Sequence, residues 1–240
     1  VREVPSITAE QLEKTLYYIS DCNWNLYERD LVAGFDDIVS STNEALNNNL
    51  NSPRIPDALL RLCLINLAVG NIVDARGYCA VLMRRYPTYP GNPAGLAALG
   101  KEELKNKLYP QAEKTFNFII DKYPESSQLR DATVGLVYAC AYQKKYDRAQ
   151  LLLDFANKRW PRHYVDDPDF LLVQAEIEDH FKQTARSVQS LWQMINLMPK
   201  HPKLMPLFLR LADVYLHAGN DSAAEYLYNR IIKDNPETSI

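Results

Sequence analysis

No apolar run in the 240 residues approaches the roughly eighteen needed to cross a bilayer, so no direct membrane span is expected. A basic surplus is missing too: 27 Lys and Arg stand against 30 Asp and Glu, a net charge of −3. Domains that hold nucleic-acid phosphates carry a clear basic excess, so no nucleic acid is expected as a partner. Val1 to Ile7 have neither the basic start nor the apolar stretch of a secretory signal. The four cysteines, Cys22, Cys63, Cys79 and Cys140, form no CxxC and no zinc-type spacing. Cys63, Cys79 and Cys140 lie inside apolar helical patterns and read as small core residues. His163, His180, His201 and His217 make no HExxH, and no serine occupies a G-x-S-x-G elbow. Gly91, Gly95 and Gly100 are followed by no Gly-Lys-Ser/Thr, and no alternating β pattern could supply a dinucleotide-binding unit. The chain is therefore expected to be no enzyme and to need no metal and no cofactor.

What is present is a repeat. Pro87, Pro124, Pro161, Pro199 and Pro236 are separated by 37, 37, 38 and 37 residues. Twelve residues before each lie Ala75, Ala112, Ala149, Ser187 and Ala224, always small. Twenty-four before lie Cys63, Gly100, Val137, Ala175 and Ala212; twenty-five before, Leu62, Leu99, Leu136, Gln174 and Leu211. Eight before, Cys79, Phe116, Leu153, Leu191 and Tyr228 are mostly large and apolar. Each unit reads as two helices, since apolar residues recur at helical spacing on either side of a break such as Gly219-Asn220. Proline cannot continue a helix and disfavours helical geometry in the residue before it, so it ends the second helix. Small residues let the paired backbones approach, and large ones fill the grooves beside them.

These columns resemble the tetratricopeptide repeat, a helix-turn-helix unit usually of 34 residues. The resemblance implies an all-α, right-handed superhelical solenoid of about five repeats, at residues 55–87, 93–124, 130–161, 168–199 and 205–236. The units are about three residues longer than usual, with the extra length assigned to the links 88–92, 125–130, 163–168 and 200–205. The fourth is the most eroded, with Gln174 and Lys182 in place of a leucine and a turn glycine. Tyr109, Ala112, Phe116 and Tyr123-Pro124-Glu125-Ser126 resemble a motif of bacterial envelope repeat proteins, the outer-membrane assembly lipoproteins and the Tol-Pal partner. That resemblance implies the periplasm or cell envelope, with the cytoplasm as the alternative.

Residues 1–54 do not fit the columns. Thr8 with Gln11 forms a capping box opening a helix that carries Leu12, Leu16, Tyr17 and Ile19, and a second helix is expected from about Leu26 to Leu46. This pair is expected to cap the first repeat. At the other end Tyr228, Ile231 and Ile232 are expected to be partly uncovered, so the native chain continues or this end self-associates or meets a partner.

The resemblance also assigns the concave surface to the first helix of each pair. Twenty-seven residues before each proline, Leu60, Ala97, Val134, Leu172 and Leu209 read as packing. Twenty-three before lie Leu64, Lys101, Tyr138, Glu176 and Asp213; nineteen before, Ala68, Lys105, Tyr142, His180 and His217. Taken together, these last two rows run from basic at Lys101 and Lys105 through aromatic at Tyr138 and Tyr142 to acidic at Glu176 and Asp213. The partner-binding candidates are Lys101, Lys105, Tyr138, Tyr142, Glu176, His180, Asp213 and His217. The expected function is a protein-interaction scaffold for a peptide or helix, with a structural spacer or assembly segment as the alternative. The Lys, Asn and Arg clamp by which some such proteins hold C-terminal peptides is absent, because Leu60, Leu64, Ala97, Ala98 and Lys101 stand in its place.

Overall fold

The computed structural model describes residues 7–199 and 204–234. Among them are twelve α-helices and no strand, which makes the protein all-α. The N-terminal pair is α1 (Ala9–Leu26) and α2 (Phe35–Asn48). Five pairs come after it: α3 (Ile55–Ala68) with α4 (Ile72–Arg85), α5 (Asn92–Lys105) with α6 (Tyr109–Lys122), and α7 (Leu129–Tyr142) with α8 (Tyr146–Arg159). The last two are α9 (Phe170–His180) with α10 (Thr184–Leu197) and α11 (Leu204–His217) with α12 (Asp221–Asp234). No helix among the described residues is long and apolar enough to cross a membrane. The chain divides into two compact units, Val1–Ala132 and Thr133–Ile240, the division falling within α7.

The repeat columns are packing columns. Ala75, Ala112, Ala149, Ser187 and Ala224 are at most 1% exposed, and Cys63, Val137, Ala175 and Ala212 are equally buried. Gly100 stands in the second of these columns because a β-carbon there would lie 2.6 Å from the Phe116 ring. Within each pair the turn has one geometry. The residue seventeen before the proline is Gly70, Lys107, Lys144, Lys182 or Gly219, and each has positive φ, between 56° and 81°. The next residue donates its N–H to the carbonyl five positions back: Asn71 to Asn66, Leu108 to Glu103, Lys145 to Cys140, Gln183 to Glu178 and Asn220 to Tyr215. This is a Schellman closure, which satisfies the last helical carbonyls before the chain reverses. The second helix ends on Tyr86, Tyr123, Trp160 or Met198, each with ψ between 52° and 71°, outside the helical region, ahead of its proline. Asn235-Pro236 and most of the link 200–205 lie outside the described residues.

In the first unit the N-terminal pair covers α3. Leu16, Tyr17 and Ala45 meet Ala58, and Ile38 meets Leu62 and Ile65. Polar contacts reinforce the seam: Ser20 and Thr42 hydroxyls share a buried hydrogen bond of 2.8 Å, and Arg61 donates to Ser20. Asp21 receives Arg54 at 2.9 Å and Arg61 at 2.7 Å. Burial pushes the Asp21 carboxyl up, but the two guanidinium groups outweigh it and hold it below its usual range. The Thr8–Gln11 capping box forms as expected. The second helix is a correction: it begins at Phe35, not near Leu26. Asp30 accepts from the Ala33 N–H at 3.1 Å, and the backbone turns repeatedly between Leu26 and Gly34.

In the second unit Leu171, Leu191, Met194, Leu207, Phe208, Leu211 and Leu227 belong to one buried apolar cluster. Beside it Tyr228 and Ile231 are partly buried, while Tyr226 and Ile232 are 67% and 54% exposed. The three core cysteines are buried and Cys22 is exposed. The Cys63 and Cys79 sulfurs lie 2.7 Å apart, joining α3 to α4.

Candidate functional site

The eight candidate residues all lie on first helices, because positions four apart share a helical face. Lys101 and Lys105 are exposed on α5. On α7 the Tyr138 and Tyr142 rings are neighbours, with centroids 5.9 Å apart, as the spacing implies. Glu176 and His180 lie on α9, Asp213 and His217 on α11. The row assigned to packing is mostly covered, although Leu209 is 47% exposed.

Most of these side chains are already engaged. Lys101 Nζ reaches Asp131 at 2.6 Å, from α5 to α7, and Lys105 pairs with Glu102 on its own helix at 3.3 Å. The Tyr138 hydroxyl donates to Asp167 at 2.9 Å, and its ring meets Phe170 edge-on at 5.5 Å. Burial, then the Asp167 charge, pushes the Tyr138 phenol well above its usual range. Glu176 accepts from Lys144 at 2.9 Å and from the Tyr146 hydroxyl at 2.7 Å. Burial pushes the Glu176 carboxyl up, but those two donors bring it below the usual range. Asp213 accepts from the Tyr228 hydroxyl at 2.6 Å, so it links the two helices of its own pair. His180 stacks on the Tyr146 ring at 4.1 Å. Tyr142 keeps 43% of its surface exposed, and His217 is exposed at the end of α11. No cluster of His, Cys, Asp or Glu able to hold a metal occurs among the described residues.

Sequence reasoning missed the partners: Asp131, Asp167, Lys144, Tyr146 and the Asp179–Arg210 pair at 3.6 Å. They carry a signal nonetheless. Lys101–Asp131, Tyr138–Asp167, Lys144–Glu176 and Asp179–Arg210 are separated by 30, 29, 32 and 31 residues. That is somewhat less than one period, the offset that joins one first helix or its turn to the next first helix or the link just before it.

A model of the tetratricopeptide repeat family matches residues 207–238. Solved structures of similar fold are tetratricopeptide-repeat proteins. PilW, a widely conserved type IV pilus biogenesis factor, is 13% identical with a TM-score of 0.64, covering 92% of this chain and 96% of its own. PilF of Pseudomonas aeruginosa is 13% identical with a TM-score of 0.64, the coverage being 96% and 95%. MamA from Desulfovibrio magneticus RS-1 is 14% identical at a TM-score of 0.60, with 77% and 97% covered. No curated protein matches the sequence. These likenesses show the fold, a helical-repeat solenoid.

Proposed function

We propose that the chain is a non-catalytic scaffold that takes an extended peptide or a helix on the face of its first helices, with Tyr142 as the central contact. The observation that carries this reading is the exposure of the Tyr142 ring beside Tyr138, on a helix whose other side chains are buried or half-buried. A large, rigid, amphipathic ring held in place by packing loses little entropy on binding, which makes it a favourable anchor. Tyr138 supports that ring while its own hydroxyl stays on Asp167. In the same unit as this anchor, His180 and His217 of the same row are exposed as well.

A photo-cross-linking amino acid placed at Tyr142 tests this in cells that express the protein. Adducts with a protein partner are expected at position 142 and not at Leu151, which is 72% exposed on the second helix α8. Adducts at Leu151 alone would overturn the choice of face. Once a partner is in hand, Tyr142→Ala should weaken it by about 1–3 kcal/mol.

The alternative, a spacer or assembly segment, draws on a different observation: Lys101, Glu176 and Asp179 spend their charge on a neighbouring pair, on its first helix or, for Glu176, on its turn. Under that reading Glu176→Ala lowers the melting temperature and no position on the face cross-links to a partner.

A further inference from the structure

The buried Glu103 carboxylate on α5 is balanced by a cation. Arg76 on α4 donates to one oxygen through Nη2 at 2.8 Å and Nε at 3.3 Å, and Thr115 on α6 donates to the other at 2.8 Å. Arg76 stands eleven residues before its proline, Glu103 twenty-one and Thr115 nine. Two repeats on, the same three columns hold Gln150 on α8, Glu178 on α9 and Ser190 on α10. Glu178 is as well buried as its counterpart, 4% exposed, and accepts from Ser190 at 2.8 Å and Gln174 at 2.9 Å. The column holds no arginine there, and Glu178 makes no ion pair among the described residues. The Gln150 Oε1 is buried with no hydrogen-bond partner, its amide nitrogen donating instead to Asp154 at 2.9 Å. A cavity of about 410 Å³ opens here, lined by Gln150, Asp154, Gln174, Glu178, Arg186 and Ser190 among others.

We propose that this cavity binds a guanidinium group, the arginine side chain of a partner protein, seated on Glu178 and Gln150 as Arg76 is seated on Glu103. Each Glu178 oxygen accepts one hydrogen bond and retains a lone pair, and Gln150 Oε1 offers a further acceptor. The planar fork of guanidinium spans several acceptors where an ammonium reaches as a point charge. Asp154, exposed at the rim, adds negative charge. Arg186 also lines the cavity, but its Nη1 donates to Gln183 at 3.1 Å. Burial pushes the Glu178 carboxyl up against the pull of Ser190, Gln174 and the more distant Arg186, as expected of a carboxylate without a contacting cation. The gap also accounts for the eroded fourth repeat, because Gln174, in the leucine column, donates to both Glu178 and Ser190.

Calorimetric titration of the full chain with N-acetyl-arginine amide, its neutral citrulline isostere and agmatine tests the assignment. Saturable arginine binding is expected, with citrulline weaker by about tenfold or more. Glu178→Gln should lose the arginine signal to the same degree. Gln150→Arg should fill the site from within, raising the melting temperature and abolishing arginine binding. Equal binding of citrulline, no binding at all, or arginine binding unchanged in both variants would overturn the proposal. Binding of agmatine without capped arginine would overturn the assignment to a protein side chain. None of these readouts involves Tyr142, so failure of the first-helix face leaves this site standing, and the reverse.

Discussion

Lys107, Lys144 and Lys182 take positive φ, 60°, 61° and 56°, in the column where Gly70 and Gly219 do the same. A β-carbon in that conformation costs about 1–2 kcal/mol, which the Schellman closure of each turn overrides. Lys107 makes the cleanest test, because Lys144 also binds Glu176. Lys107→Gly should raise stability by up to about 1 kcal/mol, the relief of strain being partly offset by the freer unfolded chain. Denaturant midpoints at constant slope would measure it. Glu178 gives a second expectation at this scale. Its carboxyl is raised in the folded state by burial, so its contribution is present below the unfolded pKa and is lost as pH rises through the folded one. Glu178→Gln, facing Arg186 and Asp154, should therefore gain melting temperature relative to the parent as pH moves from acid to neutral. A constant difference across that range would show that Glu178 titrates as an ordinary carboxylate.

Among the elements, α1 and α2 have the most distinct chemistry, since an apolar seam and one buried-edge ion cluster join them to α3. Asp21 works against its own desolvation and is held ionised by Arg54 and Arg61. The sign is opposite to that of Glu178: a lowered carboxyl stabilises above the unfolded pKa, and the benefit disappears as pH falls through the folded one. Asp21→Ala should cost about 1–2 kcal/mol at neutral pH, discounted for partial exposure, and very little in acid. Hydrogen exchange should locate the loss in α1 and α2. Protection of those helices unchanged by the substitution would mean that the apolar seam alone holds them.

At the scale of the molecule, packing within the first unit runs from a helix to its partner and to the neighbouring pairs, as in α3 against α2, α4 and α5. Stability in such arrays is close to a sum of repeat and nearest-neighbour contributions. Phe116, fully buried beside Gly100 on α5, is a central element of that packing in the first unit. Phe116→Ala should cost about 3–5 kcal/mol. Its increase in hydrogen exchange should be concentrated in α3 to α6, with α9 to α12 little changed. An even increase along the chain would show cooperativity beyond nearest neighbours.

The repeat was legible without coordinates because close helix pairing leaves a mark on single positions. Only a small residue fits at Ala112, only a residue that tolerates a reversal fits near Gly70, and a proline closes the second helix of the pair. Such constraints act over a few neighbouring turns, so they recur in register and can be counted. The start of α2 was misplaced because Leu26 and Leu31 continue an apolar pattern through a segment that the Asp30 turn interrupts. Tyr138 and Tyr142 were placed together by helical spacing alone. Which of them stays open to solvent was decided by Phe170 and Asp167, which come from other segments. The gap opposite Glu178 is likewise a property of three helices at once. Gln150, Glu178 and Ser190 are each unremarkable in sequence, and only their packing brings to a cavity a buried carboxylate that no cation contacts.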